Sequence, residues 1–66
     1  VGARLMEYAH YSDRWDSIVV MRADGTEEYH PCGSVNSDAA LREVWDALQT
    51  TEQGWYERYP YLVRKV

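Results

Sequence analysis

A single amphipathic helix is the feature that most constrains how this chain can fold. Between Asn36 and Gln53, large apolar side chains recur at i, i+3, i+4 and i+7. They are Leu41, Val44, Trp45 and Leu48. This spacing places them on one face of a helix, opposite a polar face. Ser37 is a suitable N-cap and Gly54 supplies a left-handed stop, so the sequence predicts a helix that covers a small core.

The remainder of the chain predicts an antiparallel sheet. Apolar and β-branched runs bounded by turn residues indicate strands over residues 4–11, 16–22, 26–30 and 61–66, with 55–59 irregular. The order is therefore β-β-β-α-β. We predict one α+β domain over residues 1–66, in which an antiparallel sheet of three to four strands carries one helix on one face. If residues 61–66 form a tail instead, the sheet has three strands.

The turn between the second and third strands sets the predicted register. Asp24-Gly25 is a favoured centre for a two-residue hairpin loop of type I′. Such a loop places Arg22 opposite Glu27, where the two side chains form a cross-strand ion pair.

Alternation along the strands then predicts two faces of different character. With Tyr11 opposite Asp16, the face beneath the helix carries Leu5, Ala9, Tyr11, Ile18, Val20 and Tyr29. The other face carries Met6, Tyr8, His10, Trp15, Val19, Met21 and His30, together with Glu28 and Ser17. This second face is too apolar to be left in water. We expect it to be covered by the C-terminal segment with Trp55, Tyr59 and Tyr61, by a second copy of the chain, or by a partner protein.

The size and charge of the chain also favour a binding role. Its 66 residues include one cysteine, so no internal disulfide can supplement a small core. Three tryptophans and six tyrosines, with no phenylalanine, give nearly every aromatic ring a polar group, which suits interfaces. The net charge of -4 disfavours binding to phosphates and favours a basic or neutral partner, although solubility alone also explains such a charge.

The residues that could carry chemistry form no recognisable site. His10, His30 and Cys32 are the soft metal ligands, and all three could share a face, but a closed zinc site needs a fourth ligand. Cys32 has no adjacent helix N-terminus and no orienting acid that would activate a thiol. We therefore expect no enzyme activity, no catalytic residue, no metal and no cofactor. Without a long apolar run or a signal peptide, the chain is expected to be cytoplasmic and away from membranes.

Two binding functions remain from the sequence. We expect a protein–protein interaction module, specifically a small acidic inhibitor or regulator of the kind carried by phages and mobile elements, which could imitate nucleic acid with its carboxylates. Its anchors would be Tyr8, Trp15, Val19 and Met21, with Asp13, Asp16 and Glu28 at the rim. The alternative is a nucleic-acid-binding module that uses the aromatic and basic strip of Trp55, Arg58, Tyr59, Arg64 and Lys65.

A series of short motifs in the chain resembles a known family. Asp24-Gly25, a strand ending at Tyr29-His30-Pro31, a helix and then Gln53-Gly54-Trp55-Tyr56 are similar to the short domain named after the C-terminus of lysyl-tRNA synthetase. The resemblance spans residues 15–66. It consists of turn and aromatic residues common to many small α+β domains, and the acidic charge argues against an RNA role, so we assign no family from it.

Overall fold

Five secondary-structure elements make up the fold over residues 6–62. The computed structural model describes residues 6–62, and its elements are β1 (Met6–Ser12), β2 (Ser17–Arg22), β3 (Glu27–Pro31), α1 (Val35–Ala47) and α2 (Glu52–Arg58). The strands form one antiparallel sheet in the order β1-β2-β3. The α+β class is thus confirmed. Of the predicted fourth strand, Tyr61 lies in a turn, and 63–66 lie outside the described residues.

The predicted single helix is in fact two helices. Ser34, rather than Ser37, caps α1 by accepting a hydrogen bond from the backbone N–H of Ser37. After Ala47 the chain leaves the helix, and Gln49 adopts a left-handed φ of 53°. Thr51 then caps α2 by accepting from the N–H of Gly54, which lies inside this second helix. The hydroxyl oxygen of Thr51 can cap the start of a new helix, and this capping competes with continuation of α1. The helix that carries the apolar stripe therefore ends earlier than predicted.

The hairpin between β2 and β3 has a loop that is one residue longer than predicted. Arg22 N–H donates to the carbonyl of Thr26, and Gly25 N–H donates to the carbonyl of Arg22, each at 2.9 Å. A type I′ turn needs a positive φ at both central residues, but here only Gly25 has one, at 91°. The Asp24 carboxylate stabilises this conformation by accepting from Thr26 N–H at 3.0 Å.

This loop shifts the register of β3 by one residue and exchanges its two faces. Tyr29 pairs with Val19, and His30 pairs with Ile18. Tyr29 therefore lies on the face away from the helices, whereas Glu28 and His30 lie toward them. All three placements are opposite to the prediction.

The β1–β2 hairpin is shifted by two residues instead, so most of its predicted faces are kept. Tyr11 pairs with Ile18 rather than with Asp16, through a four-residue turn in which Asp16 has a φ of 48°. An irregularity between Met6 and Tyr8 changes the alternation there, so Met6 pairs with Arg22 and packs against the core.

Both helices pack on the face that carries Ile18 and Val20, which we call the helix face. The buried cluster consists of Ile18, Val20, Ala40, Leu41, Val44, Trp55 and Leu62. Tyr59 packs against this cluster, and Tyr61 contacts the ring of Tyr11 on the same side. The C-terminal aromatic residues therefore cover the helix face and not the opposite one. Within residues 6–62, neither helix is long and apolar enough to cross a bilayer.

Candidate protein-binding surface

The second side of the sheet, which we call the open face, is defined by the strand register. It carries Tyr8, His10, Ser12, Ser17, Val19, Met21, Glu27, Tyr29 and Pro31. Val19 is only 3% exposed yet lies outside the buried cluster, because its cross-strand neighbours are His10 and Tyr29. It therefore supports the surface from beneath rather than contacting a partner.

Three aromatic side chains dominate this surface. Trp15 is 59% exposed, and Tyr8 and Tyr29 are each 50% exposed. Tyr8 stacks on His10 with 5.9 Å between ring centroids. The guanidinium of Arg14 lies 5.0 Å from the ring centroid of Trp15, a cation–π distance. The sequence pattern correctly placed Tyr8 on this face, but it placed Tyr29 on the helix face. The feature that could have corrected the placement of Tyr29 is the contact between Asp24 and Thr26, which lengthens the loop.

A shallow groove lies at the end of the open face nearest the β1–β2 turn. Trp15, Ser17, Tyr29 and Pro31 line it, and we call it the aromatic groove. The Ser17 hydroxyl donates to the Trp15 carbonyl at 2.8 Å, which ties the turn to β2. Within residues 6–62, neither the Trp15 indole N–H nor the Tyr29 hydroxyl has a hydrogen-bond partner. The groove thus combines apolar walls with two available donors.

The predicted rim carboxylates are not all beside these rings. Asp13 is exposed in the turn next to Trp15, but Asp16 accepts a hydrogen bond at 2.7 Å from the hydroxyl of Tyr11, whose ring lies on the helix face. This bond is the largest cause of the raised pKa of Tyr11. Glu28 also points to the helix face, while its neighbour Glu27 is exposed on the open face.

Glu28 belongs to a charge cluster centred on Arg22, which is buried at 5% exposure. Its carboxylate accepts from Arg22 at 2.7 Å, and Glu43 of α1 accepts from the same guanidinium at 2.5 Å. His30 Nε2 lies 3.5 Å from Glu28. Glu28 replaces Glu27, the predicted partner of Arg22, because the register of β3 is shifted by one residue. This cluster connects β2, β3 and α1, so its role is structural.

The three candidate metal ligands are separated. His10 lies on the open face and His30 on the helix face, so the prediction that they share a face is wrong. In the part of the chain that the structure describes, no three His, Cys, Asp or Glu residues are grouped to hold a metal. Cys32 lines a small cavity with Leu41 and Tyr56. Burial, and to a lesser degree the charge of Asp16, raises the pKa of its thiol to about 11.

We expect the Cys32 thiol to react slowly with a disulfide reagent such as DTNB at pH 8. Raising its pKa from 9.0 to about 11 lowers the thiolate fraction. The native rate should therefore be about a hundredfold below that of the urea-unfolded chain. Because the folded pKa is the higher one, the linked stability is fully present below pH 9 and is lost as the pH rises through 11. Equal rates in the two states would contradict this environment.

The strip predicted to bind nucleic acid is largely used in packing. Trp55 is buried, and the ring of Tyr59 lies 4.5 Å from it. Arg58 is exposed at the end of α2, whereas Arg64 and Lys65 lie outside the described residues. Base stacking on Trp55 would require the core to open.

Comparisons with known proteins assign the chain to no family. No family model matches it, and neither does a curated protein or a solved structure.

Proposed function

We propose that this chain is a non-enzymatic protein-binding module that docks the open face of its sheet onto a partner with a basic surface. The observation that carries the proposal is the asymmetry of the sheet: two helices cover one face, while the other exposes Tyr8, Trp15 and Tyr29. Tyrosine and tryptophan are enriched among the residues that dominate binding energy at protein interfaces.

Docking through the face is favoured over addition of a strand at a sheet edge. The outer edge of β1 is interrupted by the irregularity between Met6 and Tyr8. The outer edge of β3 is short and carries Glu27, Glu28 and Pro31. Bulges, charges and proline are features that discourage pairing with a further strand.

The charge of the chain favours a basic partner. Asp13 and Glu27 are exposed near the aromatic rings, and the chain carries a net charge of -4. Such carboxylates speed association and exclude acidic partners, while the rings supply most of the affinity. A small acidic inhibitor or regulator of phage or mobile-element type, which competes for a groove that normally holds nucleic acid, is the biological role that we propose for these properties.

The Trp15→Ala variant is expected to lose the partner and keep the fold. Loss of an interface tryptophan should raise Kd by about thirtyfold or more, equivalent to roughly 2 kcal/mol. Because Trp15 is 59% exposed, the free energy of unfolding of the variant should differ from that of the unmodified chain by less than about 0.5 kcal/mol. The partner would be captured from a lysate, identified, purified and titrated by calorimetry, with urea unfolding measured in parallel.

Leu48→Ala provides the matched control, since Leu48 is 47% exposed on a different surface. It should bind as the unmodified chain does. Equal affinity of the Trp15 variant would refute docking through the open face. Light scattering completes the test, because a stable dimer that dissociates in the Trp15 variant would mean that the open face serves self-association instead.

A further inference from the structure

The aromatic groove is a shallow, mostly apolar depression lined by two exposed aromatic side chains. Trp15 and Tyr29 form its walls, and both rings remain at least half exposed. Ser17 and Pro31, which are paired across β2 and β3, line the space near them. The Ser17 hydroxyl donates to the backbone carbonyl of Trp15, so it fixes the turn that carries the indole. A turn fixed in this way loses little backbone entropy when a ligand binds.

The polar atoms of the groove match a particular backbone. The Trp15 indole N–H and the Tyr29 hydroxyl lack partners within residues 6–62, so both can donate to ligand carbonyls. A polyproline II peptide has no internal hydrogen bonds, and its carbonyls project outward. Proline also lacks an N–H, so laying such a peptide on a sheet face leaves no donor without a partner. Aromatic-lined grooves that recognise proline-rich segments use this chemistry.

The surrounding charges add a second requirement. Asp13 lies in the turn beside Trp15, and Glu27 lies on the same face as Tyr29, two residues earlier in β3. Both carboxylates are exposed. The guanidinium of Arg14 already lies over the Trp15 ring, so one cation–π contact is made within the chain. The two carboxylates outnumber this one cation, so a basic residue beside an apolar ring is favoured in the ligand.

We propose that the aromatic groove binds a proline-rich peptide segment that carries a flanking lysine or arginine. The proposal rests on the proposed function and names the element of the partner that the open face recognises. The Trp15 and Tyr29 side chains contact the proline rings, their polar atoms bind the peptide carbonyls, and the exposed carboxylates attract the basic flank.

Titration of the ¹⁵N-labelled protein with two synthetic peptides tests this assignment. The probe contains a run of prolines followed by a pair of arginines, and in the comparison peptide glycine and serine replace the prolines. We expect the probe to shift the indole signal of Trp15 and the amide of Tyr29, while the indole of buried Trp55 stays in place as an internal control. The comparison peptide should bind at least about tenfold more weakly.

Variants separate the contribution of the aromatic groove from general charge attraction. Tyr29→Ala should weaken the probe by at least about tenfold, Tyr29→Phe by less because only the hydroxyl is lost, and Leu48→Ala should have no effect. The dispersion of each spectrum reports whether the variant is folded. Equal affinity for the two peptides would overturn the proposal in favour of simple recognition of cations. If neither peptide shifts Trp15 while Trp15→Ala still abolishes binding of a partner protein, the groove assignment fails and the proposed function stands.

Discussion

Replacement of Trp55 by alanine is expected to leave the domain largely unfolded in buffer. Trp55 is 2% exposed and belongs to the buried cluster, where it joins α2 to the sheet and to α1. Truncating a buried tryptophan to alanine costs about 3–5 kcal/mol. A core of this size supplies only about 3–5 kcal/mol of stability, so this one change removes most or all of it. Circular dichroism during urea titration would show the loss as a missing or strongly shifted transition.

The chain contains its own control for this experiment. Trp15→Ala is the same chemical change at a residue that is 59% exposed, so it should keep a cooperative transition near that of the unmodified chain. Trp55→Phe should fall between the two, since it retains most of the ring and removes an indole N–H that is buried without a partner in residues 6–62. A Trp55→Ala variant that unfolds within about 1 kcal/mol of the unmodified chain would contradict the central place of α2 in the core.

The role of Trp55 shows where the sequence pattern was misleading. The stripe of Leu41 and Val44 correctly predicted the buried face of a helix, because burial of that face is what holds α1 on the sheet. The pattern could not reveal that Thr51 would start a second helix, since a capping threonine and an exposed helix threonine look alike in one sequence. As a result, the sequence predicts an irregular segment at Trp55 and places this residue in the strip of the alternative, nucleic-acid-binding function.

Prediction of the candidate surface depended on two loops. A displacement of two residues in the β1–β2 hairpin preserved the faces, so Tyr8 was placed correctly. In the next hairpin, the Asp24 contacts with Thr26 displaced the pairing by one residue, which moved Tyr29 to the open face and Glu28 away from it. Side-chain alternation has a period of two, so an odd error exchanges whole faces and an even one does not.

That same displacement creates the ion cluster on the helix face. With Glu28 beneath α1, both it and Glu43 reach the guanidinium of Arg22. Their side chains are 32% and 38% exposed, whereas that of Arg22 is 6% exposed. The two carboxylates therefore keep part of their hydration, whereas the guanidinium of Arg22 keeps almost none. Its charge is compensated by the hydrogen bonds to the two acids instead of by water. These hydrogen bonds raise the pKa of Arg22.

Arg22→Met is accordingly expected to lower the free energy of unfolding by about 2–3 kcal/mol. Removing one partner of a buried ion pair costs about 3–5 kcal/mol, and the partial exposure of Glu28 and Glu43 reduces that penalty because water can solvate them. Urea unfolding followed by fluorescence would measure the change, with exposed Arg42→Met as the matched control at less than about 0.5 kcal/mol. Adding Glu28→Gln and Glu43→Gln to Arg22→Met should recover part of the loss, since it removes the two orphaned charges. If all of these variants were equally stable, the guanidinium would not be what joins β2 and β3 to α1, and the register would rest on the Gly25 loop alone.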